Sequence, residues 1–292
     1  MPAVPVMLSL LALLQTSRPS PKEQTAPRPQ AADFDAFLAR LATALRTEEA
    51  PGEIRSFIAE VLVHNRSREL DVDDVEATIG FLKPSYVRTA IREGKKSFVR
   101  GYYERPSLSW MSDGKRSWHL QGRDYKRDRD AVYREFFLAK MLTRYLYPDR
   151  ELAKLTRREG PLRTLWRYSR HKPPIDTLLV HGRSDQPLDY PLSLTPDHKG
   201  QVDVRLWLDA RTLYPLRLVL RPVLDLRTKT LGPAEELRFS AHRSTGGILQ
   251  PTKVTMLLPD KKGKPRITLE LRVKTMRLNA TGLEPADFKK PD

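Results

Sequence analysis

The chain has 292 residues, 39% hydrophobic and 30% charged, with no cysteine and a formal net charge of +16. These are globular values that allow a sizeable core. The absence of cysteine excludes disulfides, thiol catalysis, thiolate metal sites and a lipid anchor built on an amino-terminal cysteine. The charge points to an anionic partner such as nucleic acid, a membrane surface or another polyanion, or else simply to an arginine-rich surface.

Val6 to Leu14 is an apolar run too short for a bilayer, which needs ~20 residues. It fits the core of a signal peptide, although no Lys or Arg precedes it. Residues 1–17 are therefore read as a signal peptide and the protein as exported, hence periplasmic. Residues 18–31, with Pro19, Pro21, Pro27 and Pro29, read as a flexible linker. The remaining residues, 32–292, read as one domain.

Phe34, Phe37, Leu38, Leu41 and Leu45 form one helical apolar stripe. Strand alternation follows at Phe57, Ala59, Val61 and Val63, then at Val75, Ala77, Ile79 and Phe81, then at Val87 and Ile91. Short strand pieces continue from Phe98 to Leu120, with Ser112-Asp113-Gly114 as a tight hairpin signal. A helical insertion is expected around residues 128–172. It comprises a widely apolar helix from Ala131 to Tyr147, a second helix from Glu151 to Arg158, and an amphipathic turn at Leu162, Leu165 and Trp166. The basic stretch from Arg157 to Lys172 has the look of an interfacial membrane segment.

From Gln201 to Phe288 the chain reads as five consecutive strands. Val202, Val204, Leu206 and Leu208 face one way, against Asp203, Arg205 and Trp207. Leu216, Leu218 and Leu220 should share a face, as should Ile267, Leu269, Leu271 and Val273. Connections this short predict an antiparallel meander. So broad an apolar face must be covered by other elements or curl around something apolar.

Several local motifs resemble, in order, those of the LolA-like superfamily. This superfamily comprises periplasmic lipoprotein carriers, mycobacterial glycolipid carriers and the sensor domain of the RseB regulator. Lys83-Pro84-Ser85-Tyr86-Val87-Arg88 is similar to a Pro-x-x-x-Arg strand, and Asp113-Gly114-Lys115 to an aspartate-glycine-lysine hairpin followed by an aromatic, here Trp118. Leu206-Trp207-Leu208-Asp209 with Pro215 resembles a strand pair, Gly246-Gly247-Ile248-Leu249-Gln250-Pro251 a hairpin, and Leu278-Asn279 with Phe288 a closing segment. The resemblance implies an α+β fold in which a large curved antiparallel sheet forms a half-open β-barrel covered by helices. It implies a non-enzymatic carrier of lipid or lipoprotein acyl chains, with Trp110, Trp118, Phe136, Met141, Leu206, Leu208, Leu216 and Leu218 lining the cavity. It also implies that Arg88 holds a helical lid closed, although Thr89 stands where the family has tryptophan and alternation equally allows Arg88 to face solvent. The other possibility for the same apolar faces is that they pack on one another and leave no cavity.

No cofactor is expected. His64, His119, His171, His181, His198 and His242 are scattered without metal-site spacing, and Asp71, Asp73, Asp74 and Glu76 lack a calcium-loop glycine. No phosphate-binding loop, dinucleotide fingerprint or nucleophile elbow occurs. Expected partners are acyl chains, an anionic membrane surface, and donor and acceptor membrane proteins. Two alternatives are a basic nucleic-acid-binding protein, with Tyr102, Tyr103, Trp166 and Tyr168 available to stack on bases, and a regulatory sensor of envelope lipoproteins on the same fold.

Overall fold

The computed structural model describes residues 31–65, 74–83, 86–93, 96–103, 105–113, 115–119, 148–168, 171–184, 201–225, 227–228, 230–259 and 265–290. The expected leader, the expected linker up to residue 30 and the helix expected from Ala131 to Tyr147 lie outside these residues. Among them, no helix is long and apolar enough to cross a membrane.

Helix α1 (Ala31–Leu45) leads into β1 (Ser56–Asn65), β2 (Val75–Leu82), β3 (Tyr86–Glu93), β4 (Lys96–Tyr103), β5 (Arg105–Ser112) and β6 (Ser117–His119). A short helix α2 (Pro148–Ala153) precedes β7 (Arg157–Trp166) and β8 (Ile175–Ser184). Then come β9 (Val202–Asp209), β10 (Pro215–Asp225), β11 (Thr230–Leu231), β12 (Glu235–Thr245), β13 (Ile248–Pro259) and β14 (Pro265–Leu278). A 3-10 turn at Pro285–Phe288 ends the described chain.

The strands form one open antiparallel sheet in the order β6-β5-β4-β3-β2-β1-β14-β13-β12-β10-β9-β8-β7, with β11 beside β10. The first half runs outward from β1 to the β6 edge. The second half starts at the opposite edge, β7, and works inward until β14 pairs with β1. The sheet is therefore not closed: β6 and β7 are separate edges. Its inner side nevertheless carries one contiguous core, from Val87 on β3 through Phe57, Leu271, Phe239 and Leu206 to Val180 on β8. α1 places Phe34, Phe37, Leu41 and Leu45 in that core. Each such side chain, once fully buried, contributes about 1.5–3 kcal/mol, more than helix propensity alone supplies to a helix of this length.

Turn chemistry sets the hairpins. Asp113 Oδ1 accepts the backbone N–H of both Lys115 and Arg116 at 2.9 Å, shaping the β5–β6 turn. Between β12 and β13, Gly246 and Gly247 have φ of 53° and 74°. A Cβ on Gly247 would lie 2.6 Å from the Ala50 nitrogen, so the turn also lets the α1–β1 connection pass close by.

Two expected elements differ. The second helix begins earlier and ends at Ala153, and residues 157–166 are not helix and amphipathic turn but edge strand β7. The i, i+3, i+4 spacing of Leu162, Leu165 and Trp166 imitates a helix, but pairing with β8 decides the backbone. An irregularity between Glu159 and Leu162 breaks the alternation that would have shown the strand. On β10, a bulge at Leu216 sets Pro215 opposite Leu208 and Arg217 opposite Trp207. Leu216 is thereby displaced from the row of Leu218 and Leu220 and stays only half-buried.

Candidate functional site

The inner face and α1, whose apolar stripe packs into its core, form the candidate site. Leu206 and Leu218 are directly opposite each other on β9 and β10, both 4% exposed, and Leu208 is fully buried. These three expected lining residues lie together in the packed core of the inner face.

Polar contacts fix α1 at both ends. Just past its last turn, Arg46 donates Nη1 and Nη2 to Asp149 Oδ1 and Oδ2 of α2 at 2.7 and 2.8 Å. Near its start, Asp35 accepts Arg158 Nη1 at 3.2 Å. The same guanidinium donates Nε to the Leu155 carbonyl at 2.8 Å and Nη2 to the Ala153 carbonyl at 2.5 Å. It also lies 5.4 Å from the centre of the Phe34 ring. A cleft of about 560 Å³ opens beside it, lined by Phe34, Ala153, Lys154, Leu155, Thr156, Arg158 and Gly160. Of its lining, Phe34 and Leu155 are buried and Lys154 and Arg158 exposed. A second cleft, of about 340 Å³, includes Glu60, Glu76, Arg92 and Lys274, a charged lining unsuited to hydrocarbon.

Trp110 is not on the inner face. Cross-strand register links Trp110 to Gly101, Gly101 to Arg88, Arg88 to Gly80 and Gly80 to Ile58. Residues in direct register share a face, and Ile58 points away from the core neighbours Phe57 and Ala59. Trp110 is fully buried on this outer face, where Nε1 donates to the Phe288 carbonyl at 2.8 Å. Arg88 is exposed on the same outer face and donates Nη1 to the Asp287 carbonyl at 3.3 Å. It therefore contacts the carboxy-terminal turn rather than α1, as the solvent-facing possibility for alternating residues allows. Trp118, 36% exposed, lies in register with Met111 near the β6 edge. Phe136 and Met141 lie outside the described residues.

The basic segment is an edge of the sheet. Leu165 is 68% exposed, but Trp166 is buried and meets Tyr168 edge-on at 5.7 Å. Arg163 is ion-paired with Asp176. Tyr168 is flanked by Arg238 and Lys172 at 5.4 and 5.3 Å. These two aromatics thus pack within the fold, whereas stacking on bases requires free ring faces.

On the outer face, Asp203 and His181 form a second polar centre. His181 Nε2 donates to Asp203 Oδ2 at 2.6 Å. That hydrogen bond raises the His181 pKa against the opposing effect of burial. Burial pushes the Asp203 carboxyl up, but His181, Arg205 and Arg183 outweigh it and the net shift is downward. Burial lowers the His242 pKa, its ring facing the Pro215 carbonyl at 2.9 Å. No cluster of His, Asp and Glu suited to a metal occurs among the described residues.

Sequence reasoning missed the Arg46–Asp149 and Arg158–Asp35 contacts, since partners more than a hundred positions apart leave no local pattern. It marked Asp203 and Arg205 as facing away from the core but not which cations would gather there.

No protein-family model and no curated protein matches the chain. Among solved structures, it is similar to a Vibrio parahaemolyticus domain described as an outer membrane lipoprotein-sorting protein, at 13% identity, covering 88% of this chain and 97% of that one with a TM-score of 0.42. It is also similar to a LolA superfamily protein from Nitrosomonas europaea, at 14% identity, with the same coverages and a TM-score of 0.43. Lipoprotein LppX from Mycobacterium tuberculosis matches at 9% identity over 87% of this chain and 100% of that one, with a TM-score of 0.30.

Proposed function

We propose that this protein binds lipid or lipoprotein acyl chains on the inner face of its open sheet, beneath α1, as an exported carrier rather than an enzyme. One observation carries the reading: a continuous apolar surface spans both halves of an unclosed sheet and packs against a helix whose ends are held by polar contacts. Hydrocarbon replacing the apolar stripe of α1 would be shielded from water at ~0.8 kcal/mol per buried methylene. The cleft beside Phe34 is the point of entry, since the core residues Phe34 and Leu155 line it and the exposed Lys154 and Arg158 suit an anionic head group. In the packed arrangement, Leu206, Leu208 and Leu218 meet the core instead of ligand, so loading displaces α1 at least in part.

The test is mass spectrometry of lipids co-purifying with protein from its native compartment, paired with uptake of a fluorescent fatty acid by delipidated protein. Acyl lipid in stoichiometric amount and saturable uptake are expected. Lipid-free native protein with no uptake would refute the proposal.

A further inference from the structure

The outer face of β8, β9 and β10 holds a group of charges with no part in acyl-chain binding. Arg183 and Arg221 are directly opposite Asp203 on the two flanking strands. Arg205, two residues along β9, is opposite His181 and Val219. Strand geometry turns all of them to one face: the Arg183 and Arg205 guanidinium groups and the His181 imidazole approach a single carboxylate, itself 1% exposed, and Arg221 shares the face on the next strand.

That carboxylate does not satisfy them. Its hydrogen bond goes to His181. Arg183 Nε is 3.9 Å from Oδ2, beyond hydrogen-bond reach. Arg205 Nε is 3.3 Å from Oδ1 but out of line, so both atoms stay buried without a hydrogen bond. Arg221 Nε is also buried without one. Such unmade donors are rare in folded proteins because each has lost water without replacement. The neighbouring groups are better satisfied, although Arg217 Nε is also buried without a partner. Glu236 takes Arg217 and Arg238 in direct bonds of 2.7 and 2.6 Å, and Glu270 takes Lys253 and Arg272 at 3.0 and 2.8 Å. Two cations share each of those carboxylates at bonding distance, whereas Arg183 and Arg205 approach Asp203 without a direct hydrogen bond among the described residues, with Arg221 on the same face.

We infer that Arg183, Arg205 and Arg221 form an oxyanion site for a phosphate group, free or carried by a lipid head group, with Asp203 beneath them as the positioning carboxylate. Guanidinium groups offer paired N–H donors whose spacing matches phosphate oxygens, and a dianionic or monoanionic phosphate offsets the surplus positive charge. The site is on the opposite side of the sheet from α1, so it does not depend on the acyl-chain reading.

Inorganic phosphate is titrated calorimetrically into the protein, and the protein is sedimented with phosphatidylcholine vesicles with and without phosphatidylglycerol. The parent is compared with the Arg183→Gln/Arg221→Gln double variant and with a charge-matched double variant, Arg211→Gln/Arg277→Gln, at exposed positions elsewhere. Binding at least ~10-fold weaker in the first pair, and changed no more than ~2-fold in the second, is expected. Loss confined to inorganic phosphate assigns a free anion; loss of phosphatidylglycerol-dependent sedimentation, with phosphate competing in the parent, assigns a head group. Arg221→Gln alone, which removes no bond made among the described residues, keeps the test valid if the double variant unfolds, and should weaken binding ~3-fold. Absence of both activities in the parent, binding that survives the site variants, or equal weakening in both doubles overturns the proposal.

Discussion

Arg46 and Asp149, 103 positions apart, meet through two parallel hydrogen bonds of 2.7 and 2.8 Å. The pair joins the end of α1 to the first turn of α2, where a carboxylate also suits the helix dipole. Both side chains are mostly shielded, at 17% and 10% exposure. Two-pronged geometry and partial burial set this contact apart from an ordinary surface ion pair.

Asp149→Asn and Arg46→Gln are each expected to lower unfolding stability by about 1–3 kcal/mol, since each strands a partly buried charged partner. The double variant should lose little more than either single change, because both remove the same interaction. Denaturant titrations of the three variants check this. Strictly additive losses would show that the residues act independently. If α1 moves during loading, both single variants should also take up a fatty-acid probe faster than the parent.

Gly101→Ala tests the outer-face site of Trp110. An added Cβ would overlap the indole Nε1, and the indole is fully buried and held by Phe288. Overpacking of this kind costs about 1–3 kcal/mol. Trp110→Phe, which deletes only the donor and part of the ring, should cost less and should increase hydrogen exchange in the Pro285–Phe288 turn. Unchanged exchange would mean that the turn is held by other contacts.

How much was legible in the sequence depends on the range of each interaction. The rows Phe57-Ala59-Val61-Val63 and Val202-Val204-Leu206-Leu208 are buried as their alternation predicts, because a strand with one covered face must repeat every two residues. The stripe on α1 was equally plain. Leu216 was misplaced because a bulge shifts parity by one residue and carries no reliable sequence mark. Ile267 was expected in the core but is exposed near the start of β14, beyond a second irregularity opposite Leu257. Trp110 was placed at the cavity by resemblance, and periodicity gives two faces but does not say which one packs against α1. Only the cross-strand register to Ile58 decides that.

The His181–Asp203 pair predicts a pH dependence. The folded state raises the His181 pKa from 6.5, chiefly through its hydrogen bond to Asp203. A raised basic group contributes stability that is full below the unfolded value and fades as pH climbs through the folded one. The parent's advantage over His181→Gln should thus be larger at about pH 5.5 than at about pH 8.5. The depressed Asp203 carboxyl acts in a separate window: its contribution is present above about pH 3.9 and is lost on acidification through the folded value. His242, lowered by burial, disfavours folding as pH drops below its unfolded value, but it is common to both proteins and cancels in the difference. Thermal melts across the range decide; an advantage that grows with pH would reverse the assignment.

Leu206→Gln and Leu218→Gln test the inner face directly. The two leucines are in register and 4% exposed, so an amide at either position meets packed hydrocarbon in the unloaded protein. A stability loss on the order of 1–3 kcal/mol each is expected, from a polar group buried without partners. Leu224→Gln, at a leucine 62% exposed, should change stability by less than about 0.5 kcal/mol. All three variants are then compared for fatty-acid uptake at a temperature where each remains folded. The two core variants should bind the probe markedly more weakly than the parent, and Leu224→Gln should match it. Stability losses at Leu206 and Leu218 together with an unloadable parent would show that the inner face is a permanent core, and acyl-chain binding would have to be abandoned.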